Sequence, residues 1–295
     1  MSDSPTYNAD AVQKAYATDD ALALRQSIHE LYSVPRTNFA EWVLNKTAWR
    51  GDESVLDVGS GQGMYFSAVR KRIPRGKLVG ADFSLGMMQK AAKHNPHEAR
   101  LVNTDAMRLP FGRKTFDVVL ANHMLFHVPD VDRTLAEIKR VIRPTGVLLA
   151  STNSQFNLPE LDQLMRRTLM LLGGKVGEMP SPVATFPLED GAQIMAKHFF
   201  AVARYDLPGA FVFPIAQPAI DYVNSLRALR EPLLPKKIRW EDFISTLSDQ
   251  IHRMVDYFGE IVFTKLSGVI IATDAGGFIN DYVNRIIVNR RRRGG

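Results

Sequence analysis

Cysteine is absent from these 295 residues, which excludes disulfides, thiolate zinc sites and a cysteine nucleophile together. The seven histidines are scattered, without an HExxH-type spacing to nearby carboxylates, so no metal is expected. No apolar run reaches the length of a membrane span, and the opening MSDSPTYNAD is acidic and polar where a signal peptide is basic and then apolar. A cytoplasmic protein is the expectation. Internal repeats are missing as well, and the one biased stretch is the closing NRRRRGG.

The formal net charge is +6, and Arg290, Arg291, Arg292 and Arg293 supply much of it. A terminal arginine run beside two glycines reads as a solvated tail. It lacks the interleaved aromatics of a nucleic-acid arm, so a nucleic-acid partner is not the leading expectation. With 45% hydrophobic and 23% charged residues, the chain has the composition of a globular protein with one large domain and an elaboration.

Two helical patterns come first: Leu24, Ile28, Leu31 and Tyr32 share one face, and Phe39, Trp42 and Val43 share another. Residues 1–50 are read as a helical cover. From residue 54 the pattern alternates strand with helix: SVLDVG, KLVGAD, ARLVNTD, TFDVVLAN and GVLLAST are short Val-, Leu- and Ile-rich runs separated by helical stretches. That alternation predicts an α/β fold, a doubly wound and mostly parallel sheet with helices on both faces. FFAVARYDL and FTKLSGVIIAT add two more strands. The core is placed at 51–207 and 261–280, a helical lid insertion at 208–260, and a basic tail at 281–295.

The first strand runs into DVGSGQG. Glycines at 59, 61 and 63 allow positive φ and let a ligand lie against bare backbone, and in an open α/β sheet ligands bind at this end of the strands. A dinucleotide loop would place its third glycine where Met64 stands, and a P-loop would need a following Lys-Ser or Lys-Thr. Neither is present, so the loop admits a ligand without features that hold phosphates. Asp82 ends the second strand, 23 residues after Gly59, where a carboxylate can accept both hydroxyls of a ribose. Asp105 ends the third, where it can accept from an exocyclic amine. The set suits a nucleoside without a pyrophosphate.

Taken together, VLDVGSGQG, GADFSLGM, NTDAMRLPF, FDVVLANHMLFHVPD and RVIRPTGVLL resemble the class I S-adenosylmethionine-dependent methyltransferases over about residues 55–150. The resemblance implies a Rossmann-like, seven-stranded sheet and S-adenosylmethionine as methyl donor, with S-adenosylhomocysteine as product. It implies that Asp57, Gly59 and Gly61 serve the methionine portion, with Gly63 and Met87 in the same site. Asp82 would hold the ribose; Phe83 and Met107 would flank the adenine; Asp105 and the backbone of Ala106 would read it. Asn122 would face the methionine end. The family often has two glycines where this chain has Thr145-Gly146.

Methyl transfer from a sulfonium demands positioning more than covalent help. For an acceptor that carries a proton a general base contributes, and His123 and His127 follow the fourth strand, near the expected methyl group. Substrate-pocket candidates come from the covers: Tyr16, His29, Tyr32, Trp42, Trp240 and Phe243. The chain lacks the NPPY-type tetrad, zinc site or appended module of nucleic-acid methyltransferases, and a small-molecule, natural-product-like acceptor is favoured. Two alternatives stay open: an RNA methyltransferase using the arginine tail, and a non-methylating binding protein or cyclase of the same fold. A homo-oligomer is compatible with all three.

Overall fold

The computed structural model describes residues 19–95, 98–174 and 181–275; the arginine tail and Tyr16 lie outside them. Eight strands form one sheet: β1 (Ser33–Val34), β2 (Ser54–Val58), β3 (Lys77–Asp82), β4 (Arg100–Asn103), β5 (Phe116–Asn122), β6 (Ile142–Asn153), β7 (Ala201–Phe213) and β8 (Ile261–Thr273), in the order β1-β7-β8-β6-β5-β2-β3-β4. The strands β4-β3-β2-β5-β6 are parallel at every pairing. The sheet thus has one strand more than expected. The addition is the two-residue β1, which pairs antiparallel with β7 and is too short to leave an alternation in the sequence.

The helices are α1 (Asp19–Tyr32), α2 (Phe39–Leu44), α3 (Phe66–Arg72), α4 (Leu85–His94), α5 (Val131–Val141), α6 (Pro159–Leu171), α7 (Leu188–Ala196), α8 (Ala216–Asn224), α9 (Arg227–Arg230) and α10 (Trp240–Phe258). Among the described residues no helix is long and apolar enough to cross a membrane.

The chain gathers into two compact units. Among the described residues, one comprises 39–95, 98–152, 185–205 and 268–275, and its core is built on one face of the parallel strands. Val55, Val118, Leu120 and Leu149 point the same way and are covered by Val43 and Leu44 of α2 and by Phe66 and Val69 of α3. Ser84 caps α4, its Oγ accepting from Met87 N, and Asp130 caps α5 by accepting from Arg133 N; both are N-cap residue types.

The other unit comprises, among the described residues, 19–38, 153–174, 181–184 and 206–267. Its core joins Ile28 of α1, Leu161 and Met165 of α6, Ala219 and Val223 of α8, and one face of α10. On α10, Trp240, Phe243, Leu247 and Ile251 are fully buried, the period-3.6 stripe visible in the sequence. Gly259, at φ +83°, ends that helix, as a left-handed glycine cap does.

Candidate functional site

The glycine loop follows β2 and is held from below. Gly59 N and Ser60 N donate to Ala81 O at 2.7 and 3.1 Å, and Asn95 Nδ2 donates to Gln62 O at 2.9 Å. Gly59, Gly61 and Gly63 all have positive φ. They differ in what a side chain would meet. A Cβ on Gly59 would lie 2.6 Å from Met124 Cβ, and one on Gly63 would lie 2.5 Å from the Phe66 ring, whereas one on Gly61 would meet nothing within 4 Å. Gly59 and Gly63 are therefore required by packing, and Gly61 borders open space.

That difference makes a separable prediction. Gly61→Val should cost only about 1 to 2 kcal/mol of stability, the penalty of a side chain at positive φ, because nothing in the fold is displaced. It should weaken a nucleoside ligand far more, at least about fiftyfold, because the branched side chain enters the ligand's space. Equal, small losses in melting temperature and in calorimetric affinity would remove the loop from the site.

Asp82 closes the loop from the end of β3. Its Oδ2 accepts from Gly61 N and its Oδ1 from Ser84 N, both at 2.8 Å. Burial raises its carboxyl above the usual range, and the backbone N–H donors of Ser84, Gly61 and Phe83 pull the other way. The carboxylate, with about four acceptor sites, keeps acceptor capacity beyond these backbone donors. At the end of β4, Asp105 Oδ1 accepts from Met107 N at 2.8 Å; Ala106 is buried and Met107 half-buried. Phe83 is 74% exposed and Met87 buried. The loop is braced beyond Met107: Glu137 of α5 accepts from Leu109 N, and Arg140 donates to Leu109 O and Phe111 O.

A group of buried polar side chains lies at the ends of β2, β5 and β6. Asp57 Oδ2 and both side-chain polar atoms of Asn122 are buried and, among the described residues, without a hydrogen-bond partner, and the buried Tyr65 hydroxyl lies within hydrogen-bond reach of Ser151. Strand register accounts for their grouping. Asp57 sits beside Leu120, and Asn122, two residues on, sits beside Ser151, so in parallel strands all three side chains leave the same face. Tyr65, between the loop and α3, faces Asp57 and Ser151. Burial pushes the Asp57 carboxyl up to about 8, and the Asp82 charge adds to it. Buried polar groups are normally satisfied, so this cluster fits a ligand that brings donors and positive charge. Tyr65 and Ser151 are the members sequence reasoning missed; the alternation of β6 was the available signal for Ser151.

His123 follows Asn122 at φ +51°, its N–H held by Ser151 O at 2.9 Å. Its ring lies 5.2 Å from Phe39 and 6.3 Å from Phe126, and Phe39 in turn stacks on Trp42 at 5.8 Å. His127 ends a 3-10 turn, Leu125–His127, with its ring 4.3 Å from Phe126. Burial lowers both imidazoles to about 4, His127 with a further contribution from His123. Both are neutral at pH 7.

Of the other pocket candidates, Trp240 and Phe243 pack on each other at 5.4 Å inside the core of their unit, with Trp240 Nε1 donating to Asn224 Oδ1. Their burial is that of core residues. Tyr32 is half-buried against Phe213. His29 is exposed, its ring edge-on to Phe211, and Lys265 Nζ is 3.5 Å from its Nδ1.

Residues 56–150 match the family model of a methyltransferase domain. Demethylmenaquinone methyltransferase of Staphylococcus aureus is 34% identical over 125 residues, 41% of this chain and 52% of that protein; the chain spans about half the length of the curated relatives it matches. Among solved structures, phosphoethanolamine N-methyltransferase 2 of Haemonchus contortus, in complex with phosphomonomethylethanolamine and S-adenosylhomocysteine, is 16% identical with a TM-score of 0.53, over 90% of this chain and 59% of that one. The cyclase SpnF is 17% identical with a TM-score of 0.53, over 93% and 100%. At such identities the likeness is one of fold. The glycine loop and the acidic strand ends behind it thus lie within residues 56–150, the part of the chain that matches a methyltransferase domain.

Proposed function

We propose that the protein methylates a small, natural-product-like acceptor, with S-adenosylmethionine as the donor. The observation that carries this reading is the pair of buried polar side chains, Asp57 and Asn122, that have atoms without a partner among the described residues, together with the open space at Gly61. Asp57 would take the cationic amino-acid end of the donor, and Asn122 would orient it. Asp82 would accept from the ribose hydroxyls on its remaining lone pairs. Phe83, Met107, Asp105 and Ala106 would receive the adenine. When bound, the donor supplies a methyl group on a positively charged sulfur.

The chain's own task is positioning, which contributes roughly 7 to 11 kcal/mol when reacting atoms are held in line about 3 Å apart. The rings of Trp42, Phe39 and His123 supply an apolar wall beside Asn122, suited to a flat or aliphatic acceptor. The acceptor's nucleophilic atom bonds to the methyl carbon as the carbon–sulfur bond breaks, and its proton passes to the unprotonated ring nitrogen of His123 or to water. With its pKa near 4, His123 serves better as a hydrogen-bond acceptor that aims the nucleophile than as a strong base. The Staphylococcus aureus relative is named for demethylmenaquinone, which supports a small organic acceptor here.

The test is a panel of quinols, phenols and amines incubated with S-adenosylmethionine, reading S-adenosylhomocysteine by mass spectrometry. Acceptor-dependent product is expected, and His123→Ala should lower kcat at least about tenfold while donor affinity holds. Donor binding without product from any acceptor would turn the reading to a non-methylating member of the fold.

A further inference from the structure

A second site lies along α5, in the same unit as the glycine loop. It is a cavity of about 630 Å³ between α5, the segment 107–114 and the start of β6. Met107, assigned above to the adenine, borders it at one edge, whereas none of Asp57, Gly61, Asp82 or Asn122 lines it. Seven cationic side chains and two carboxylates do.

Three of the cations are spent. Arg140 is held by Glu137 at 2.8 Å and by the carbonyls of Leu109 and Phe111, Arg143 is held by Asp117 at 2.7 Å, and Lys139 pairs with Asp274. Arg108, Arg113, Lys114 and Arg133 also line the cavity, and among the described residues no carboxylate forms an ion pair with any of them. Like charges gathered in this way repel one another, and Arg133 is partly offset by the nearby Glu137 carboxylate. The backbone shows a corresponding cost. Lys114 is a non-glycine residue at φ +54°, anchored by its N–H to Arg140 O at 3.0 Å. Such strain persists where surrounding structure imposes it, and it gathers at functional positions.

We propose that this cavity is a binding site for a compact polyphosphorylated small molecule, its phosphates held by Arg108, Arg113, Lys114 and Arg133. Guanidinium groups match phosphate oxygens two at a time, and a polyanion would relieve the repulsion the empty arrangement carries. The volume is that of a small-molecule site. Its concavity suits a soluble ligand better than a membrane surface. No aromatic ring lines it, so it lacks the stacking platform on which single-stranded nucleic acid is held. Ala136, Ile142 and Pro144 give the remainder of a ligand an apolar floor.

The experiment is calorimetric titration of the full chain with inorganic tripolyphosphate at about 0.15 M salt, where exposed charges are screened. Saturable one-site binding is expected, weakened at least tenfold by Arg113→Ser combined with Arg133→Ser. S-adenosylmethionine affinity should be unchanged in that variant, which keeps a failure of this site distinct from a failure of the donor site. Arg113→Lys with Arg133→Lys should retain part of the affinity, since charge persists and the planar fork is lost. Three results would overturn the proposal: no saturable binding, binding indifferent to the double serine variant, or binding only to phosphatidylglycerol vesicles and not to tripolyphosphate.

Discussion

Asp82→Ala is expected to weaken S-adenosylmethionine binding at least about a hundredfold, close to 3 kcal/mol. The carboxylate has two tasks, and alanine ends both. It would accept from the ribose, where each hydrogen bond to a charged group contributes roughly 1.5 to 3 kcal/mol. It also accepts from Gly61 N and Ser84 N at 2.8 Å each, so the glycine loop and the start of α4 are tied through one side chain. Asp82→Asn would keep one acceptor oxygen and turn an NH₂ toward the other backbone N–H, so its affinity should fall between those of the parent and the alanine variant. Calorimetry with both variants checks the order. Affinity within twofold of the parent in Asp82→Ala would sink the ribose assignment and leave Asp82 as a loop brace alone.

The double task of Asp82 shows where sequence reasoning stops. Its place at a strand end, 23 residues after Gly59, is a matter of chain spacing and could be read directly. That it also fastens Gly61 depends on two loops meeting in space, which spacing does not encode. The parallel strands were legible because a strand buried on both faces is a continuous apolar run, as in VLDV and VVLAN. β1 was not, because two residues carry no period. The segment 208–260 was read as helical, yet the sequence could not say whether Trp240 and Phe243 meet a ligand or a core. Their near-complete burial against Asn224 and one another assigns them to packing. Tyr65 and Ser151 were missed for the opposite reason: a tyrosine ahead of a helix has no distinctive pattern, and the alternation of β6 gives the face of Ser151 but not the register that brings it beside Asn122.

Asp57→Asn is expected to stabilise the chain without ligand while reducing its affinity for the donor, and the stabilisation should grow with pH. Burial, helped by the Asp82 charge, raises the folded carboxyl to about 8 from 3.8. Across that window the folded chain keeps a proton that the unfolded chain has released. Its stability contribution is therefore complete below about 3.8 and is lost as pH rises toward 8, at about 1.4 kcal/mol per pH unit. Asparagine has no such loss. The neutral histidines act in the other direction, since folded values near 4 against 6.5 make stability fall as pH drops from 6.5 to 4; they are common to both proteins and cancel in the difference. Thermal unfolding at pH 5, 6.5 and 8 should thus show a widening gap in favour of the variant. The same ionisation governs binding, because a cationic donor requires the carboxylate: at pH 7 close to one proton should be released on binding to the parent and none on binding to Asp57→Asn, read from calorimetry in buffers of different ionisation enthalpy. A gap that stays constant with pH would mean that Asp57 is already ionised in the folded chain. The partnerless oxygen at the end of β2 would then be satisfied without a ligand, and the link between its burial and donor binding would fail.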